Sequence, residues 1–406
     1  MMIDAPEKIL IHGGDVDFAA VKAEDDAYLM HTYGRLQVCF VRGEGARVWD
    51  SDGKEYLDFL GGIAVNGLGH CHPRVVAAIQ EQAATLIHTS NLYYTVPQTK
   101  LAKKLLATAN FDRVFFCNSG AEANEAALKI ARKAGKVFSP DKVGIVTVTG
   151  SFHGRTMGTV TATAQAKYQD PFRPLVPGFA YAERNNIASL ESLVDDTTCA
   201  ILLEPIQGES GIHALTDAFL VAARTLADKY NALLIFDEIQ TGMGRTGTWW
   251  AFQQTPVVPD MFTSAKALGS GIPIGACLAR GRAAETLVPG DHGSTFAANP
   301  LATATALATV ETIEDDALIE NAARVGAYLA ATLKRVLGDA IVDVRGKGLM
   351  VGVELAKPNA RAVMLAALDK GLIVNAIGDS TLRLLPPYII TNSDVDKAVG
   401  ILAEVI

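Results

Sequence analysis

Two residues of complementary chemistry stand at the ends of apolar runs: Asp237 near the end of ALLIFDE (232–238), and Lys266 after MFTSA. Short runs that are apolar throughout read as strands buried on both faces of a parallel sheet, and such sheets bind ligands beyond the carboxyl ends of their strands. An amine and a carboxylate placed there suit a cofactor that is held to lysine through a Schiff base and whose ring nitrogen must stay protonated. Pyridoxal phosphate has both needs. A strand-end Asp and Lys are also common on protein surfaces, so other segments must converge on the same place.

Two segments are candidates. Ser119-Gly120-Ala121 lies between the apolar run RVFFC (113–117) and the helical pattern AEANEAALKIARKAG. Gly120 allows close backbone approach, and a helix N-terminus offers free amides to a phosphate. The same residues fit a capping box, with Ser119 three residues before Glu122, and the two readings are compatible. After VGIVTVT (143–149) comes Ser151-Phe152-His153-Gly154-Arg155-Thr156. Phe152 can stack on an aromatic ring or pack in the core. Arg155 can hold a carboxylate through two parallel hydrogen bonds.

The elements that must position these residues alternate along the chain. Helical patterns (PRVVAAIQEQAATLI, FLVAARTLADKY) separate the apolar runs RVFFC, VGIVTVT, CAILLEP, ALLIFDE and MFTSAK, which predicts a mainly parallel α/β sheet covered by helices on both faces. Asp52-Gly53 marks a hairpin near the N-terminus. Beyond Pro300, two long helical segments precede LMVGVEL, a helix, LIVNAI, LRLLPP and a last helix from about Asp394. The expected organisation is an arm and joining segment over 1–69, a large cofactor-binding domain over 70–305, and a smaller α+β domain over 306–406.

Taken in order and spacing, GHCHP (69–73), NSGAEANEAALK (118–129), SFHGRT (151–156), EPIQGE (204–209), FDEIQTGMGRTG (236–247), AKALGSGIPIGA (265–276), STFAANPLA (294–302) and LRLLPP (382–387) resemble the class III (ω-amino acid) aminotransferases of the fold-type I pyridoxal-phosphate enzymes. The resemblance spans nearly the whole chain. It implies that Lys266 forms the Schiff base and shuttles the proton, Asp237 pairs with the ring nitrogen, and Gln240 bonds the ring 3-oxygen. Phe152 and Ile239 would sandwich the ring, and Ser119, Gly120 and Ala121 would bind the phosphate. Thr295 would reach the phosphate of the other subunit, which implies a homodimer. Among the substrate contacts it implies Arg155 for the donor's α-carboxylate and Arg383 for that of glutamate, with Glu209 masking Arg383 in turn; a purely structural Glu209–Arg383 salt bridge is the alternative. Ser294 and Tyr33 complete the set, Tyr33 matching a tyrosine of the ornithine-type members. One departure is visible: Ala297-Ala298 stand where the family usually has two glycines.

Within the family, GGIAVNGLGHCHP and AKALGSGIPIGA point to transfer of the δ-amino group of N2-acetyl-L-ornithine to 2-oxoglutarate, a step of arginine biosynthesis. Ornithine, succinylornithine, succinyldiaminopimelate and 4-aminobutyrate are alternative donors. An aminomutase or racemase would use the same Lys and Asp, and a non-catalytic protein on this fold would need neither.

The bulk properties agree. The chain has 406 residues, 49% of them apolar, and a net charge of −8, which argues against nucleic acid or anionic membrane as partner. Five widely spaced cysteines without a CxxC suit a reducing compartment. The N-terminus shows no secretory pattern, and no stretch approaches the ~20 apolar residues of a membrane span, so a cytoplasmic protein is expected. His70-Cys71-His72 lacks a further ligand pair, so no metal is expected. Trp249-Trp250 is read as packing.

Overall fold

The computed structural model describes residues 16–406. Seven strands form the central sheet, in the order Arg113–Cys117, Gly275–Ala279, Met261–Ser264, Leu233–Asp237, Thr198–Leu203, Gly144–Val148, Phe179–Ala182. Gly275–Ala279 runs antiparallel to both neighbours, and the other pairings are parallel. The expected α/β architecture is present. Phe179–Ala182 and Gly275–Ala279 were outside the sequence expectation, since both are short and the second follows a glycine-rich segment.

The apolar runs are continuous because both faces of the sheet are buried. Leu234 and Phe236 face one core cluster while Leu233 and Ile235 face the other. Each such side chain, fully buried, stabilises the fold by about 1.5–3 kcal/mol. The helix Gly120–Lys136 lies on the second face through Ala126, Ala127, Ile130, Ala131 and Ala134. Small residues let its backbone come close: a Cβ on Gly135 would stand 2.2 Å from the Lys142 carbonyl oxygen.

Outside this sheet, Phe40–Glu44, Arg47–Asp50, Glu55–Asp58 and Leu372–Ile373 form a four-stranded sheet. The last strand pairs parallel with Glu55–Asp58, so an N-terminal segment and a C-terminal one share a sheet. The hairpin at Asp52-Gly53 joins two of its strands. A second four-stranded sheet, antiparallel, has the order Ile341–Lys347, Met350–Leu355, Thr381–Leu384, Asn375–Ile377. The run LIVNAI is therefore divided between two sheets, with Val374 as the crossing point. Helices Leu318–Leu337 and Ala360–Asp369 pack on the antiparallel sheet, and Asn392–Val405 packs on both of them.

Of the expected N-terminal arm, residues 1–15 lie outside the described residues, and Phe18–Tyr28 is a helix with no buried residue, capped by Asp17. Among the described residues no helix is long and apolar enough to cross a membrane.

Candidate active site

A cavity of about 410 Å³ opens beyond the carboxyl ends of the central strands, and Asp237 and Lys266 both line it. Asp237 is the last residue of its strand and is 4% exposed. Its Oδ2 accepts hydrogen bonds from Asn124 Nδ2 (2.8 Å) and His153 Nδ1 (2.9 Å), and its Oδ1 accepts one from the Ile239 amide (3.0 Å). Asn124, on the second turn of the Gly120–Lys136 helix, also donates to the His153 carbonyl (2.7 Å) and accepts from Thr263 Oγ1 (2.8 Å). With Asp237 as acceptor, His153 carries its proton on Nδ1, and its Nε2 is buried without a partner. The carboxylate is fixed by three groups before any ligand is added.

Lys266 lies two residues past its strand, with φ 45°. A left-handed conformation in a non-glycine residue costs about 1–2 kcal/mol and is typical of functional sites. Burial lowers the affinity of its amine for a proton, and the Glu209 and Asp237 carboxylates offset part of that effect. A lysine so placed is a better nucleophile and base at neutral pH than an exposed one.

Glu209 Oε1 accepts from Arg383 Nη1 at 2.5 Å. Arg383, on the strand Thr381–Leu384, is 2% exposed and also donates to Asn375 Oδ1 (2.9 Å). Burial alone would raise the Glu209 carboxyl, but the guanidinium outweighs it and holds the carboxyl below its ordinary value. Gln240 Nε2 donates to Glu209 Oε1 (3.4 Å), while Gln240 Oε1 is buried without a partner. A Cβ on Gly208 would fall 2.1 Å from that oxygen, so glycine is required there.

The opposite wall is the N-terminus of the Gly120–Lys136 helix. Ser119 Oγ accepts from the Glu122 amide (3.2 Å). The Glu122 carboxylate reaches back to the Asn118 amide (2.6 Å) rather than to that of Ser119, so half of the expected capping box forms. Gly120 is pressed against Ile239, whose Cδ1 would be 2.7 Å from an added Cβ. Ser119, Gly120, Ala121, Ile239, Phe152 and Arg155 all line the cavity. Free helix amides, a carboxylate, a lysine and apolar walls together suit a flat ring carrying an anionic arm. Arg155 is exposed, and among the described residues it makes no ion pair. The cavity wall therefore carries one open guanidinium, and a second stands behind the Glu209 carboxylate that masks it.

Four residues expected at the site do not line this cavity: Arg383, which meets it through Glu209, and three others. Ser294 accepts from Asn118 Nδ2 (2.8 Å), behind the helix N-terminus. Thr295 is exposed beside it. Tyr33 is 77% exposed, next to Arg35. Ala297 and Ala298 are buried, the latter at φ 54°, so the chain follows the path glycines would take.

Sequence reasoning left out Asn124, His153, Glu204 and Glu238. Glu204 lines the cavity, accepts from the Phe152 amide (2.9 Å) and the Gly208 amide (3.3 Å), and is pushed up to about 7 by burial, with His153 opposing and Asp237 adding to the shift. Glu238, wholly buried, accepts from Thr241 Oγ1 and from the amides of Ala251 (2.9 Å) and Phe252 (2.8 Å). All but Asn124 are polar residues in or beside strand-end apolar runs, which is the signal that could have found them. His70 pairs with Asp58 (2.8 Å), and no group of potential metal ligands occurs among the described residues. Trp250 is fully buried against Phe262, as expected of packing.

Known proteins resemble the chain in sequence and fold. The family model described as aminotransferase class-III matches residues 28–406. An acetylornithine aminotransferase of Methanocaldococcus jannaschii is 50% identical over 93% of this chain and 96% of its own. The crystal structure of acetylornithine aminotransferase from Elizabethkingia anophelis superposes with a TM-score of 0.86 at 35% identity, covering 96% of this chain and 98% of that one. The ornithine aminotransferase of Toxoplasma gondii gives a TM-score of 0.91 at 34% identity, covering 96% and 94%. The chain belongs to the class-III aminotransferases.

Proposed function

We propose that this enzyme moves the δ-amino group of N2-acetyl-L-ornithine to 2-oxoglutarate, giving N-acetyl-L-glutamate 5-semialdehyde and L-glutamate, with pyridoxal 5′-phosphate as cofactor. The observation that carries the reading is a pair of guanidinium groups at one site: Arg155 open on the cavity wall, and Arg383 behind Glu209, which lines the cavity and masks it. A transaminase must take two unlike substrates in turn, and two separately controlled anchors meet that need.

The residues present fit the cofactor. The bare backbone at Gly120 and the helix amides would donate to its phosphate, Asp237 would pair with its ring nitrogen, Phe152 and Ile239 would hold its ring, and Gln240, with a carboxamide oxygen still unpartnered, would bond its 3-oxygen. When bound, the cofactor supplies a carbonyl carbon that captures amines and a ring that stores an electron pair. Lys266 Nζ would hold the cofactor and, once free, would act as the base that takes the proton from the donor's δ carbon. Arg155 orients the donor by its α-carboxylate while Glu209 keeps Arg383 neutralised. In the second half-reaction Glu209 releases Arg383, which receives the α-carboxylate of the oxo acid.

The choice of amino donor rests on relatives. Three proteins named acetylornithine aminotransferase match at 47–50% identity, whereas the solved ornithine enzymes match at 31–34%. We further infer a cytoplasmic homodimer in which Thr295 serves the partner's cofactor; its exposure outside its own cavity, beside the exposed Phe296 (63%), supports this.

Steady-state kcat/KM with 2-oxoglutarate for acetylornithine, succinylornithine, ornithine and 4-aminobutyrate tests the reading. Acetylornithine is expected to lead; a higher value for ornithine or 4-aminobutyrate refutes the substrate assignment.

A further inference from the structure

Arg155 rests on aromatic rings. Its guanidinium carbon lies 4.1 Å from the centroid of Tyr168 and 5.5 Å from that of Phe152, and the two rings meet edge to face at 5.7 Å. An exposed arginine samples many rotamers, and a ring beneath the guanidinium selects among them while leaving its hydrogen-bonding edge free. Tyr168 is itself firmly seated. It lies on the single turn Ala166–Gln169, which glutamines fasten at both ends. Gln165 Nε2 donates to the carbonyls of Ser151 (2.9 Å) and Gly150 (3.3 Å), just ahead of Phe152. Gln169 Nε2, buried, donates to those of Thr161 (3.0 Å) and Thr163 (2.9 Å). The ring is thus tied to the segment that carries Phe152 and Arg155. Lys167 Nζ lies 4.7 Å from the same ring.

We propose that Tyr168 is a positioning residue for the amino donor: its ring carries the Arg155 guanidinium and presets it to receive the donor's α-carboxylate. This rests on the assignment of Arg155 made above. Tyr168 is not part of the cavity wall and acts through Arg155. The oxo acid places its α-carboxylate at Arg383 and leaves its γ-carboxylate to Arg155, so it depends on the ring as well.

The test measures KM and kcat for acetylornithine and for 2-oxoglutarate in Tyr168→Leu, Tyr168→Met, Tyr168→Phe, Lys167→Gln and Arg155→Ala. Removing the ring is expected to raise the KM of the donor and of 2-oxoglutarate by roughly tenfold, within the span of cation–π energies, with little change in kcat. Tyr168→Phe, which keeps the ring, restores the donor KM. A loss that falls on kcat rather than on KM, or one reproduced by Lys167→Gln, overturns the proposal. So does a normal donor KM in both non-aromatic variants while Arg155→Ala is impaired, an outcome that leaves the role of Arg155 standing. An unimpaired Arg155→Ala overturns both.

Discussion

Asp237 and Lys266 were legible in the sequence because strand ends in a parallel sheet have a fixed geometric meaning. Their supports were not. Asn124 sits mid-helix as an unremarkable polar residue, and only the fold brings it within 2.8 Å of Asp237, 113 positions away. Glu209 and Arg383 are 174 positions apart and meet at 2.5 Å, a contact that residue types alone leave open. That pair carries a prediction. Glu209→Ala exposes a buried guanidinium without its counter-charge. The donor should lose about tenfold or more in kcat/KM, because Arg383 then competes with Arg155 for its carboxylate, while 2-oxoglutarate retains its kcat/KM. Stopped-flow measurement of each half-reaction checks this, and equal losses in both would mean the pair is merely structural.

Strands and long helices followed from continuous apolar runs and helical periodicity, whereas elements whose identity depends on partners did not. Gly275–Ala279 is a strand because it fills the gap between Arg113–Cys117 and Met261–Ser264, and LIVNAI is divided because two sheets compete for it. Local chemistry at element ends gives two further expectations. The helix Leu318–Leu337 begins after Ala317, which is exposed, has φ 50° and provides no side-chain cap. Ala317→Gly relieves a left-handed alanine and should raise stability by about 0.5–1 kcal/mol in a denaturant melt; a loss would show that the methyl group packs. Glu238 staples the 241–252 segment, and burial pushes its carboxyl up to about 7. The folded state therefore binds a proton more tightly than the unfolded chain, so stability is greatest below the unfolded carboxyl pKa and falls as pH rises from about 4.5 through 7. Glu238→Gln should flatten that fall in Tm between pH 5 and 8, and an unchanged slope would place the titration elsewhere.

For the whole molecule, the α/β class and the covered sheet could be read from the sequence, since alternating helices and apolar runs leave few arrangements. The sharing of one sheet by Glu55–Asp58 and Leu372–Ile373 joins segments over 300 residues apart, and no local pattern encodes it. The same holds for contacts between chains. Thr295, Phe296 and the exposed Leu92, Tyr93 and Tyr94 have no cover within the described chain. Sedimentation equilibrium should return twice the chain's mass, and Thr295→Ala should weaken cofactor retention on dialysis without changing that mass; a monomer with full activity would exclude a shared site. The central claim is that Lys266 is the lysine that holds the cofactor. Borohydride reduction of the enzyme as purified, followed by proteolysis and peptide mass spectrometry, tests it most directly. A pyridoxyl phosphate mass increment on the peptide containing Lys266, and on no other lysine, is the result predicted here; an increment on a different lysine, or none in an active preparation, would contradict it.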